Sequence, residues 1–396
     1  MSTATAAPPT ERVVARIDLG AVERNCRRLR DALAPGAELC AVVKAGGYGH
    51  GAVPCAEAAL AGGAKWLAVA SAGEAEELRA AGVGGPVLVQ GALAPAELER
   101  ALAADADVVA WSTHWAERAA AVAASLGRRA RLHVKLDTGM GRLGTTDPRT
   151  ARAVADVASV HPDLELAGAM THFATADEPG DDYFPLQLQR FTAWAADVRA
   201  VHPGVVVHGA NSAATLRDRA AHFDLVRCGI ATYGLDPFGR DPAEHGLDPA
   251  LSLHSYVATV KRFERGASAG YGRSWRAERA TWLGLLPVGY GDGVRRGLSN
   301  VGHVLVGGRR RPVVGTVSMD NLTLDLGPET DVRPGDPAVL IGAQGGERIL
   351  CEEVAATLGT ITYEVTCGLS PRVPRAYARG RGARDEVEPE AAPAGP

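Results

Sequence analysis

Lysine is almost missing from this 396-residue chain: four of its 42 basic residues are lysines, Lys44, Lys65, Lys135 and Lys261, and the other 38 are arginines. Generic positive charge is thus carried by guanidinium groups, and chemistry that needs an amine nucleophile has few candidates. Long apolar runs are lacking as well. No stretch of 18 apolar residues occurs, and the opening MSTATAAPPTERVV has no basic start followed by an apolar core, so the expectation is a soluble, cytoplasmic protein without a membrane span. The six cysteines, Cys26, Cys40, Cys55, Cys228, Cys351 and Cys367, show no paired CxxC spacing, which argues against a zinc site and against a disulfide framework. They are expected as small buried apolar residues, and no metal is expected. An excess of one charge sign is also absent. The formal net charge is -4, with acids and arginines intermixed, so no nucleic-acid or membrane footprint is visible and a small molecule is the expected partner.

What is present is a regular alternation. Between residues 38 and 230, β-rich apolar runs alternate with Ala-rich helical stretches, the pattern of parallel strands with crossover helices. The runs number eight: ELCAVVKA (38–45), WLAVA (66–70), PVLVQG (86–91), DVVAWS (107–112), RLHVKLDT (131–138), LELAGAMTHF (164–173), VVVHGAN (205–211) and DLVRCG (224–229). Eight strand-helix units predict a closed (β/α)8 TIM-type barrel, with an open doubly wound sheet as the alternative. Lys44, Asp137, His172, Asn211 and Arg227 fall at or near the C-terminal ends of their runs, where a barrel gathers its active site; Lys135 lies slightly deeper. After residue 245 the helical period gives way to short β-like runs with Gly and Pro turns, TWLGLLPVG, HVLVGG, RPVVGTVSM and NLTLDLG. The expected organisation is an α/β barrel domain over 12–245, a mainly β C-terminal domain over 246–380 and a disordered tail over 381–396, rich in Pro, Ala and acids.

Within AVVKAGGYGHGA, Lys44 ends an apolar run and precedes Gly46, Gly47, Gly49 and Gly51. A rigid strand would present its amine to a loop that can approach a ligand closely, and desolvation at a barrel mouth would raise the neutral fraction needed to attack an aldehyde. A lysine that merely extends to solvent from a strand end is the alternative. The motif resembles the cofactor-lysine signature of alanine racemases, pyridoxal-phosphate enzymes of fold type III. Further matches follow in order: KLDTGMGRLG, THFATADE, ANSAAT, HFDLVRCGIATYG, GYGRSW, PVGYGDGV, VGTVSMD, ITYEVTC and PRVPRAY. Together they cover roughly residues 12 to 378.

The resemblance implies pyridoxal 5'-phosphate carried by Lys44, and interconversion of L- and D-alanine that supplies D-alanine for peptidoglycan. It places Ser212, the Gly229 and Ile230 amides and the hydroxyls of Tyr48 and Tyr363 on the cofactor phosphate, with Asn211 beside them. Arg227 is similar to the arginine that faces the pyridine nitrogen. Racemisation requires acid/base groups on both sides of the α-carbon, and Lys44 is implied for one face. Tyr271, reaching the site from the partner subunit of a homodimer, is implied for the other, with His172 linking it to Arg227. A phenol is ordinarily a poor base at neutral pH, so neighbours must assist its proton transfer. Arg142 and the Met319 amide resemble the groups that bind the substrate carboxylate, and Lys135 resembles a lysine carbamylated in many members, where an anion would orient the arginine.

Each residue also has a plainer reading: Ser212 as a helix N-cap, Arg227 in a rim salt bridge to Asp224, Tyr271 as a surface aromatic near a turn, His172 as a satisfied core histidine. Two departures from the family pattern stand out. Gly46 and Gly47 occupy positions where Asn or Asp and then Ala are usual, and Thr316 and Asn321 stand where Arg and Gln are frequent. The alternatives in function are a racemase of the same family preferring another amino acid such as serine, a fold-related decarboxylase with a carboxylate opposite the pyridine nitrogen, and a non-catalytic cofactor-binding protein.

Overall fold

The computed structural model describes residues 11–380; the tail expected over 381–396 lies outside them. The chain divides into two compact units. One is Ala21–Asp248, and the other runs from Pro249 onward together with the residues up to Gly20.

The first strand, β1 (Val13–Asp18), belongs to the second unit. Eight strands follow in the first: β2 (Glu38–Val42), β3 (Trp66–Val69), β4 (Val87–Val89), β5 (Asp107–Ala110), β6 (Ala130–Lys135), β7 (Leu164–Met170), β8 (Val206–His208) and β9 (Leu225–Cys228). They form a closed barrel of parallel neighbours, sealed where Glu38–Ala41 of β2 pair with Leu225–Cys228 of β9. These are the eight runs read from the alternation, and closure excludes the open sheet.

Local chemistry fixes where the surrounding helices begin and end. Ser71 and Glu74 form a capping box at the helix Ala72–Ala80, Ser112 caps Thr113–Ser125, and Asp147 precedes Pro148 at the first turn of Pro148–Val160, each satisfying amides that a helix start leaves unpaired. Pro162 and Pro203 lie just beyond the helices Pro148–Val160 and Tyr183–Val201, where a ring without an N–H cannot continue the ladder. Alanine dominates the buried helix faces, as at Ala116, Ala119, Ala120 and Ala123, so these helices can lie close to the strands they cover. No helix among the described residues is long and apolar enough to cross a membrane.

The second unit is mainly β. Its largest sheet joins β1 to β10 (Leu251–Tyr256) in antiparallel pairing and to the C-terminal strand Arg375–Ala378 in parallel pairing. Here the structure corrects the expected boundary: residues 13–18, assigned from sequence to the barrel domain, belong to the β unit. The physical reason is the alternating burial of Val13, Ala15 and Ile17, which seats one face of β1 on that sheet's core. A second sheet, centred on Thr281–Leu286, carries Thr259–Phe263 and Leu322–Gly327 on its two sides. Five of the six cysteines are buried; Cys367, the last residue of a helix, is exposed, contrary to the expectation for it.

Candidate active site

The loop after β2 has an unusual backbone. Ala45, Gly46, Gly47 and Tyr48 all have φ between 53° and 61°, and Gly49 has φ 83°. Consecutive residues in this region make a left-handed turn, which costs an L-residue roughly 1–2 kcal/mol at each position. Glycine escapes that penalty, and two glycines occupy the middle of the turn. The Gly47 and Gly51 amides donate to the Val43 and Gly46 carbonyls at 2.9 and 2.7 Å. Glu74 ties the turn to the next unit of the barrel. Its Oε1 accepts from the Ala45 amide at 2.6 Å while Oε2 accepts from Ala70 and Ser71. Half-buried Lys44 sits at the head of this turn, and Tyr48 at its end is buried.

Arg227 lies on β9, 3% exposed. Its Nη1 donates to His208 Nδ1 at 2.7 Å, and its Nη2 to the Thr171 carbonyl at 2.9 Å, to His172 Nδ1 at 3.2 Å and to the Gly209 carbonyl at 3.3 Å. Its Nε is buried and has no partner among the described residues. The salt bridge to Asp224 does not form, because Asp224 is taken by Arg199 and by the Val207 amide. Burial lowers the Arg227 pKa to about 10. Burial and then the Arg227 cation hold His172 and His208 well below the ordinary histidine value, so both rings are neutral.

Lys135, the last residue of β6, is 4% exposed. Burial, followed by the neighbouring cations Arg227 and Arg142, brings its pKa down to about 8. Exposed Arg142 lies in the loop after β6, where Asp137 accepts from the amides of Gly139, Met140 and Arg142. Those contacts and burial act on Asp137 in opposite directions, and its pKa falls overall.

At the ends of β8 and β9, the Ser212 hydroxyl accepts from the Gly229 amide at 3.1 Å and the Ala231 amide at 3.3 Å, with Ile230 between them in sequence. The N-cap of the short helix Ser212–Arg217 is Asn211, whose Oδ1 accepts from the Ala214 amide at 2.9 Å, and not Ser212. A Cβ on Gly229 would run into the Tyr48 hydroxyl. Glycine there leaves room for that phenol.

The structure therefore brings Lys44, Tyr48, Lys135, Arg142, His172, Asn211, Ser212, Arg227, Gly229 and Ile230 to the C-terminal ends of one barrel's strands. The other three candidates belong to the second unit. Tyr271 lies on the turn Tyr271–Arg273, its side chain well exposed at 76% for the residue, and its carbonyl accepts from Thr316 Oγ1 at 2.9 Å. Met319 is exposed in a loop held by the Gly291 amide, which donates to its carbonyl at 2.9 Å. Tyr363 is half-buried on the helix Thr362–Cys367.

Sequence reading missed His208 and Glu74. His208 had a visible signal, a polar residue inside the apolar run VVVHGAN; Glu74 had the S-x-x-E spacing of a capping box.

Residues 17–237 match the family model of the alanine racemase N-terminal domain, and residues 250–377 that of the alanine racemase C-terminal domain. An alanine racemase of Symbiobacterium thermophilum is 44% identical over 365 residues, covering 92% of this chain and 96% of the relative. One of Frankia casuarinae is 44% identical over 374 residues, with the same coverages. The crystal structure of alanine racemase from D-cycloserine-producing Streptomyces lavendulae superposes with a TM-score of 0.88 at 40% identity, covering 94% of this chain and 98% of that one. With both domain models matched in order and this likeness extending over more than nine-tenths of its length, the chain belongs to the alanine racemase family.

Proposed function

We propose that this protein interconverts L- and D-alanine with pyridoxal 5'-phosphate as cofactor, using Lys44 and Tyr271 as the two proton-transfer groups, and that its D-alanine supplies peptidoglycan. The observation that carries the reading is Arg227 Nε, a buried donor without a partner among the described residues, at the mouth of the barrel. A pyridine nitrogen is an acceptor of the kind this donor lacks, so the cofactor fits the donor set. A guanidinium cannot accept a proton from that nitrogen. Opposite this guanidinium a bound ring would stay neutral and would withdraw electrons less than opposite a carboxylate. Among the described residues no carboxylate bonds to Arg227, which separates this site from a decarboxylase's.

When bound, the cofactor supplies an aldehyde for covalent attachment to an amine and a ring that eases loss of the substrate's α-proton. Lys44 would carry it. The Ser212 hydroxyl, the Gly229 and Ile230 amides and the phenols of Tyr48 and Tyr363 would hold its phosphate, with Asn211 alongside. Arg142 and the Met319 amide would bind the substrate carboxylate. Lys44 Nζ would take or return the α-proton on one face, and Tyr271 Oη on the other, with neutral His172 passing the influence of Arg227 to the phenol. The exposure of Tyr271 on its own unit supports a homodimer in which it completes the site of a second copy. Lys135 would be carbamylated: an amine brought to about pKa 8 has an appreciable neutral fraction to attack carbon dioxide, and the product anion would be stabilised by Arg142 and Arg227.

Purified protein supplied with pyridoxal phosphate and single enantiomers of alanine or serine, followed by chiral chromatography, tests the reading. L-alanine is expected to reach an equal mixture of enantiomers. Faster conversion of serine would shift the substrate assignment, and no interconversion of either would overturn it.

A further inference from the structure

Behind Arg227 a line of polar side chains runs down the interior of the barrel. His208 Nε2 and His133 Nδ1 are 2.7 Å apart, and His133 Nε2 lies 3.0 Å from Asp107 Oδ2. The three residues are at most 1% exposed. Arg227 is on β9, His208 ends β8, His133 is in the middle of β6 and Asp107 begins β5, so the line passes from the C-terminal mouth of the barrel to its N-terminal floor. There Arg131 Nε donates to Asp107 Oδ1 at 2.5 Å, and both residues line a cleft open to solvent.

One arrangement of protons satisfies every bond. Arg227 can only donate, so His208 Nδ1 accepts and its Nε2 carries the hydrogen. His133 Nδ1 accepts that hydrogen, its own Nε2–H points at Asp107, and the carboxylate ends the line. The backbone makes room for it. Pairing between β6 and β7 slips by one residue between Leu132 and His133, the kind of bulge that re-aims a side chain. Opposite lies Gly168, where a Cβ would run into His133 Nδ1.

We propose that Asp107, acting through His133 and His208, is a positioning residue for Arg227: the two imidazoles fix the plane of the guanidinium, aim its Nε at the ligand, and connect its charge to a carboxylate at the far end of the barrel. The proposal rests on reading Arg227 as the residue that faces the cofactor ring. A buried cation needs compensation, and Arg227 has carbonyls and imidazoles around it but, among the described residues, no carboxylate in contact. Polarisation along a fully satisfied line of hydrogen bonds provides it.

Two measurements test this. The first compares holoenzymes of Asp107→Asn and Arg131→Gln with the wild type. Asp107→Asn is expected to lower kcat by about tenfold, the scale on which outer partners of site groups act, with KM within twofold and the visible absorption of the bound cofactor shifted. Arg131→Gln, which removes the floor ion pair and leaves the line intact, should keep kcat and spectrum within twofold. Unchanged kcat and spectrum in Asp107→Asn, or an equal loss in Arg131→Gln, would overturn the proposal. The second reads the tautomers in the wild-type full chain without cofactor, so that a failure of the racemase reading cannot obscure it. Nitrogen-resolved proton NMR should show two slowly exchanging downfield imidazole N–H signals, both from Nε2–H tautomers, assigned by their loss in His133→Gln and His208→Gln. Nδ1–H tautomers, or the absence of the two signals, would overturn it.

Discussion

At the scale of the residue, Gly46 and Gly47 matter because of the backbone they occupy. They relieve a turn in which five successive residues, Ala45 to Gly49, have positive φ. Gly46 has open space where a Cβ would stand, so a substitution there reads out conformational cost alone. Gly46→Ala should destabilise the protein by about 1 kcal/mol, and Gly46→Asn by less, since asparagine tolerates this region; urea denaturation of the two variants measures the difference. Tyr271 is tested in the opposite way, through chemistry without a change in fold. Tyr271→Phe keeps the ring and removes the hydroxyl, and should lower kcat by about 10²- to 10⁴-fold, the usual contribution of a positioned acid/base group, with little change in the melting temperature. A surface aromatic with no part in the reaction would leave kcat unchanged.

At the scale of the element, the barrel was legible and its interior was not. All eight apolar runs became strands, because a strand buried on both faces must be apolar along its length. Asp107, His133 and His208 interrupt such runs, and a sequence shows that interruption without showing that three residues on different strands meet. The left-handed turn after β2 was half visible: glycines were expected to let the loop approach a ligand, but the handedness of the backbone was not foreseen. β1 was misassigned since its alternating pattern says that one face is buried without saying against which sheet. Glu74 belongs to this scale as well, because one carboxylate caps its own helix and accepts from the Ala45 amide of the lysine turn. Glu74→Ala should cost about 1–3 kcal/mol of stability, the range for a lost charged acceptor, and should also weaken cofactor retention. Equilibrium dialysis against buffer free of pyridoxal phosphate separates the second effect from the first.

At the scale of the whole molecule, one buried and two half-buried histidines set the acid limit of stability. His172 and His208 in the barrel, and His254 in the β unit at about 4, are held below the ordinary value chiefly by burial, with arginine cations adding to it. The unfolded chain therefore binds protons that the folded chain refuses. Stability is full above about pH 6.5 and declines as pH falls below it, with a slope of about 1.4 kcal/mol per pH unit for each such histidine until its folded pKa is reached. Urea midpoints at pH 7.5, 6.5 and 5.5 should fall slightly between the first two and steeply between the second and the third; a midpoint unchanged at pH 5.5 would mean that these rings titrate normally.

Fold and family bear on the molecule as a whole, while the reaction depends on which amine carries the cofactor. Four lysines make that question unusually clean. Borohydride reduction of the protein loaded with pyridoxal phosphate, followed by peptide mapping, is the most direct test. A single stable adduct on Lys44 is expected; an adduct on Lys65, Lys135 or Lys261 in its place, or none at all, would overturn the assignment of Lys44 as the cofactor lysine.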